Sequence, residues 1–178
     1  MVINTKRILA DSFEELLEEK TFEEITIQAI VENCGASRMT FYRYFKDKYD
    51  LVGWIYKEEV DNFRKNHLGL ETLDDFIKSI TKFIYSKKHF FSEIFKYEGQ
   101  NSFVSFFNEY SVDICKKQFE KEFGVNIPKE IIDSAEIFCP GVGNFYKLWV
   151  LRGFKESPDE ITEIIIKNVP TNIKKYMK

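Results

Sequence analysis

The feature that most constrains this chain is a glycine-centred turn, Asn33-Cys34-Gly35-Ala36, set between two short amphipathic stretches. Before it, Thr26 is placed to cap a helix that carries Ile27, Ile30 and Val31. After it, Ser37 to Phe45 reads as a second helix. Helix, glycine turn and helix form the grammar of a helix-turn-helix. The second helix has two unlike sides. Phe41 and Phe45 lie four residues apart and anchor one side in a core. Arg38, Thr40, Tyr42, Arg43 and Tyr44 crowd its start and its other side. Guanidinium, hydroxyl and phenol groups suit a DNA groove, where Arg bonds guanine edges and Tyr or Thr bonds phosphate. A small helix with a merely solvated polar face shows the same pattern, so this stretch alone leaves both readings open.

The surroundings favour the groove. Thr26, then Gly35-Ala36-Ser37, then the run Thr40-Phe41-Tyr42-Arg43-Tyr44-Phe45-Lys46-Asp47-Lys48, then a long helix starting near Asp47, resemble the N-terminal domain of the tetracycline-repressor (TetR) family of transcription factors. The resemblance runs over residues 5 to 56. It implies a homodimeric, sequence-specific regulator of transcription that binds a double-stranded DNA operator, usually a repressor relieved by an effector. The residues it points to at the DNA are Thr26, Ser37, Arg38, Met39, Thr40, Tyr42, Arg43, Tyr44 and Lys48. Many members have Gly where Met39 stands, at a place where backbone approaches DNA. Met39 instead offers an apolar contact to a thymine methyl.

Charge narrows where DNA can touch. The chain carries a net charge of −3, which does not mark a nucleic-acid binder as a whole. Between Ala36 and Lys48, however, Arg38, Arg43, Lys46 and Lys48 stand against Asp47 alone. The first helix carries Asp11, Glu14, Glu15, Glu18 and Glu19, a solvated acidic face that repels a duplex. Contact is therefore expected only at the tip formed by the second and third helices. Cys34, Cys115 and Cys139 are scattered and odd in number, which argues against a disulfide framework and for a reducing cytoplasm. They form no Cys-x-x-Cys pair, and no metal or cofactor is expected. No apolar run approaches the length of a membrane span. A phosphate loop, a Gly-x-Ser-x-Gly elbow and a His/Asp/Ser grouping are all lacking, so an enzyme is not expected.

Along the chain, periodicity and caps predict an all-α protein of about nine helices. A helix-turn-helix DNA-binding domain spans residues 1–47, and a helical effector and dimerisation domain spans 48–178. Asp47 with Asp50 starts the fourth helix in capping-box geometry. A loop is expected at 67–71, Thr72 with Asp75 starts the fifth helix, Pro128 is placed as the first residue of the eighth, and Ser157-Pro158-Asp159-Glu160 starts the ninth.

Fourteen of the 18 phenylalanines follow residue 60, so the second domain has a ring-lined core. Phe83, Phe91, Phe95, Phe103, Phe106, Phe107 and Tyr110 are candidates for an apolar effector pocket, with Gln100, Asn101 and Asn108 as polar groups. Plain core is the alternative. The last two long helices are broadly apolar, and Phe138, Val142, Phe145, Tyr146, Trp149, Ile161, Ile164 and Ile165 are candidates for a dimer interface. The fourth helix is expected to carry a change in this domain to the recognition helix, its far end packing near Val60 and Phe63. Phe145, Trp149, Gly153 and the Ser157 start signal further resemble the branch of the family that includes activators of dihydroxyacetone-kinase operons. That likeness implies control by a protein co-regulator in place of a small molecule. A helical interaction module without DNA binding is the remaining alternative.

Overall fold

Short polar side chains start most of the helices. In the computed structural model, which describes residues 4–66, 72–99, 102–124 and 126–174 without the side chains at 63, 64, 66 and 122, Asn4 caps α1 (Thr5–Leu17). Thr26 caps α2 (Ile27–Asn33), and Ser37 caps α3 (Arg38–Tyr44). Asp47 starts α4 (Lys48–Asn66), its Oδ1 accepting the Asp50 N–H at 2.8 Å. The expected box does not close there. Asp50 Oδ2 accepts from the Lys46 N–H at 2.9 Å instead of from Asp47. Reciprocal boxes do close at α5 (Leu73–Ser86), through Thr72 and Asp75, and at α9 (Pro158–Lys167), through Ser157 and Glu160. Between them lie α6 (Lys88–Ile94), α7 (Phe103–Phe123) and α8 (Lys129–Leu151). Pro128 precedes α8 and does not enter its first turn.

The fold is all-α, as expected, with α10 (Thr171–Lys174) as one extra turn beyond Pro170. Among the described residues no helix is long and apolar enough to cross a membrane. The loop expected at 67–71, the polar candidates Gln100 and Asn101, and the Phe63 side chain lie outside the described residues.

Helical spacing of apolar residues places the first core. Leu9, Ala10, Phe13 and Leu17 of α1 meet Ile30 and Val31 of α2 and Phe41 and Phe45 at α3, all buried. α4 belongs to both halves of the molecule. Its Trp54 ring lies 5.8 Å from Phe45 on one side, and its buried Tyr56 ring lies 5.4 Å from Phe107 of α7 on the other. In the larger half, α7 packs along α8 and α5 along α9. α7 comes close to α8 at Gly143, where a Cβ would stand 2.9 Å from the Phe107 ring and would collide with Asn108 Oδ1. Any side chain at 143 would have to displace the Phe107 ring and the Asn108 amide.

α6 and the segment after it carry the small half. Phe13 meets Phe90 with ring centroids 6.2 Å apart, Tyr49 meets Tyr97 at 4.7 Å, and Phe22 meets Tyr97 at 6.0 Å. The His89 ring nitrogen Nε2 hydrogen-bonds with the Leu17 carbonyl at 2.7 Å, and Lys87 pairs with Glu14 at 2.5 Å. α6 therefore touches the helix-turn-helix directly, besides the link through α4.

Candidate nucleic-acid interface

The turn between α2 and α3 is built by backbone bonds that only a positive φ permits. The Ala36 N–H donates to the Val31 carbonyl at 2.8 Å, and the Gly35 N–H donates to the Glu32 carbonyl at 3.3 Å. This is the Schellman closure of a helix C-terminus, and Gly35 supplies its left-handed residue with φ +66°. The chain then turns into Ser37, whose Oγ accepts the Thr40 N–H at 3.0 Å and hydrogen-bonds with Thr40 Oγ1 at 2.9 Å. Thr26 Oγ1 accepts the Ala29 N–H at 3.1 Å. Both caps are exposed, so each hydroxyl sits at a solvent-facing helix N-terminus, where backbone N–H groups and the helix dipole favour an anion.

α3 presents one arc outward. Phe41 and Phe45 are buried and hold the opposite arc in the core, with Tyr44 half-buried beside them. Arg38, Met39, Tyr42 and Arg43 fall within a single outward arc at 100° per residue and are exposed, Met39 at 74% and Tyr42 at 50%. Arg38 lies against Tyr42, Nη2 to the phenol oxygen at 3.4 Å, which lines the two groups up along the helix. Arg43 has no hydrogen-bond partner among the described residues. Lys46, exposed just past α3, joins this tip although the sequence reading did not include it as a contact. Its place in the cationic run between Ala36 and Lys48 is the signal for it.

Lys48 is placed differently. Its ammonium turns inward and donates to the carbonyls of Phe22 at 2.7 Å, Ile25 at 2.9 Å and Glu23 at 3.2 Å. It also lies over the Phe22 ring, 4.5 Å from the centroid. Burial draws its pKa below the ordinary value, against the pull of Glu23. In this arrangement Lys48 ties the start of α4 to the loop before α2 and does not face the tip.

The candidate effector rings pack mainly on one another. Phe91 lies 5.4 Å from Phe83, 6.0 Å from Phe95 and 5.6 Å from Phe103, and Phe106 stacks on Tyr110 at 5.6 Å. A cavity of about 70 Å³ opens elsewhere, between α4, α5, α7, α8 and α9. Phe107 is the one member of the seven on its wall, together with Tyr56, Ile80, Ser111, Val142 and Tyr146 among others. Asn108 is half-buried, and its Oδ1, buried beside Gly143, lacks a hydrogen bond among the described residues.

The interface candidates divide by exposure. Tyr146, Trp149, Ile161 and Ile165 are buried inside the protomer, and Phe138, Val142 and Phe145 are half-buried. Ile164 is exposed at 40%, and Ile137, Leu148 and Leu151 are exposed at 78%, 45% and 46%. Ile137, Gly141, Asn144, Leu148 and Leu151 follow one another at steps of four, three, four and three, a seam on α8 that the protomer leaves uncovered. Gly141 on that seam has nothing near its Cβ position.

Comparison with known proteins fits this geometry. The family model of bacterial regulatory proteins, tetR family, matches residues 11–53, and a model of a transcriptional regulator C-terminal region matches residues 71–170. The chain belongs to the TetR family. It is a DNA-binding transcriptional regulator, in a family of regulators and not of enzymes. One curated TetR-type relative is the HTH-type dhaKLM operon transcriptional activator DhaS of Lactococcus lactis subsp. lactis (strain IL1403), 27% identical over 135 residues, 68% of this chain and 71% of that one. Among solved structures, the dihydroxyacetone kinase operon activator DhaS superposes with a TM-score of 0.64 at 18% identity, over 98% of this chain and 99% of that one. A TetR transcriptional regulator from Streptococcus agalactiae 2603V gives 0.61 at 18% identity over 93% of each chain. These two share the fold of this chain.

Proposed function

We propose that this protein acts in the cytoplasm as a homodimer whose two α3 helices enter successive major grooves of a near-palindromic operator. Residues 1–47 supply the DNA-binding unit, and 48–178 the regulatory and dimer-forming unit. The observation that carries this reading is the two-sidedness of α3, where Phe41 and Phe45 fix the helix from below while Arg38, Met39, Tyr42 and Arg43 stand exposed above. Ser37, Thr40 and Thr26 place hydroxyls and helix N-termini toward the phosphates that flank the groove. Arg43→Ala costs about 1–3 kcal/mol of operator binding and relaxes preference at one base pair, since a guanidinium reads guanine. Tyr42→Phe weakens binding to all sequences alike, because a phenol on phosphate positions without reading. Fluorescence anisotropy against the operator and single-base variants, at one fixed salt concentration, checks both. If both variants bind like wild type with the fold intact, the assignment fails.

The close packing of the candidate rings on one another favours control by a protein partner over a small molecule bound among them. The void that Phe107 lines beside them, about 70 Å³, is smaller than the about 300–1,000 Å³ that ligand pockets usually span. The curated relative activates its operon, which favours activation here over the repression that the family resemblance alone implies. Ser111→Leu, which narrows the cavity, is expected to leave the response of an operator-driven reporter unchanged. Loss of that response with operator affinity intact would return control to a ligand in the cavity. The same reporter reads the sign, rising with the protein for an activator and falling for a repressor.

A further inference from the structure

Two of the three scattered cysteines meet. Cys115 of α7 and Cys139 of α8 are 24 residues apart in sequence, yet their sulfurs lie 3.7 Å apart. Both thiols stand on the wall of the cavity described above. Cys139 is buried and Cys115 half-buried. One turn further along α8, Gly143 lets α7 and α8 approach closely, which keeps the two thiol-bearing backbones near each other. Cys34 is far from this pair in the fold and donates its thiol hydrogen to the Ile30 carbonyl at 3.2 Å.

We propose that Cys115 and Cys139 form an oxidation site at which a small hydroperoxide entering the cavity converts the two thiols into a disulfide that staples α7 to α8. The hydrogen bond from Cys139 holds the Cys115 thiol below its ordinary value, so Cys115 supplies the first thiolate. Its sulfur attacks one peroxide oxygen. The O–O bond breaks, the departing oxygen takes the proton as an alcohol or water, and Cys115 becomes a sulfenic acid. The Cys139 thiol, which its pairing with Cys115 and its burial hold above the ordinary value, then attacks the sulfenic sulfur and gives up its proton as it does so. The S–O bond breaks and hydroxide leaves as water with the thiol proton. Both sulfurs are oxidised by one electron each, and the peroxide is reduced by two. The sulfurs close from 3.7 Å to the disulfide length of about 2.05 Å, a movement of about 1.7 Å that side-chain rotation and a small helix shift share. A void of about 70 Å³ admits a hydroperoxide of a few heavy atoms and not a large oxidant.

The test uses the full chain with Cys34→Ser, so that only the pair remains. Hydrogen peroxide is added, the protein is denatured with a thiol-blocking reagent, and intact mass and peptides are read. The expected result is a mass lower by two hydrogens, a peptide linking positions 115 and 139, and full recovery of both thiols with dithiothreitol. Cys115→Ser and Cys139→Ala must each abolish the linked peptide. If the peptide map of the Cys34→Ser chain shows both thiols unchanged, oxygen added without a link, or links only between chains, the proposal is overturned whether or not the variants fold. On the operator-binding reading, the staple also changes operator affinity, through the contact of α7 with α4. A formed disulfide with unchanged operator affinity removes that consequence and leaves the site standing.

Discussion

Replacing Leu148 with aspartate yields a folded monomer whose operator affinity falls by on the order of a thousandfold, toward non-specific binding. Leu148 is nearly half exposed and lies on the uncovered seam of α8 with Ile137 and Leu151, so a carboxylate there disturbs little inside the protomer. In a two-fold dimer each such change appears twice and faces its symmetry mate's surface. Two carboxylates then lose solvent where two leucines had gained by losing it. A monomer presents one α3, and one α3 cannot span two half-sites about 34–36 Å apart. Ile137→Asp is a second, independent probe at a still more exposed position. Sedimentation velocity reports the assembly, circular dichroism the fold and anisotropy the affinity. A dimer that persists in both variants moves the interface away from α8.

Trp149→Ala destabilises the protomer by about 3–5 kcal/mol, the usual cost of deleting a large buried ring. Trp149 is 2% exposed and stacks on Tyr85 with centroids 5.9 Å apart. Its indole N–H donates to the Glu156 carbonyl at 3.0 Å, which fixes the loop before α9. It also holds the end of α8. There the Phe154 N–H donates to the Trp149 carbonyl at 3.0 Å around Gly153 at φ +80°, and Phe154, itself at φ 56°, lays its ring 4.9 Å from the indole. Removal of the ring leaves a cavity, an unpaired carbonyl and a strained Phe154 without its packing partner. For a chain of this size the melting temperature falls by about 10 °C or more. Thermal unfolding by circular dichroism reads this, and a shift of only a degree or two would show that the α8–α9 corner is held by other contacts.

Caps and spacing made the helices legible, because a hydroxyl before an apolar period has few other uses. The outward arc of α3 was legible for the same reason, since its polar and apolar residues separate at helical spacing. α8 was not. It is apolar nearly all round, so periodicity does not say which side meets its own protomer. The rings at 146 and 149 turned inward, while Ile137, Leu148 and Leu151 stayed outside. Lys48 was misleading for a related reason. Its charge and place beside the recognition helix suggested phosphate, but the loop of Phe22, Glu23 and Ile25 curls three carbonyls around it. The thiol pair was invisible because contacts across antiparallel helices depend on register, which a single sequence does not display. The ring cluster was legible as a cluster, but the position of the void beside it depends on how each side chain fills its neighbour's gap.

The smallness of the cationic tip has a consequence for the cell as a whole. Arg38, Arg43 and Lys46 are exposed there, while Glu23, Glu24, Glu32 and Asp50 stand exposed around them and the chain as a whole is negative. Sequence-independent affinity for DNA grows with the number of phosphates a protein neutralises, and here that number is low. On the operator-binding reading, bulk chromosomal DNA then holds fewer copies than it would of a broadly basic regulator, and a larger share of them stays available to the operator.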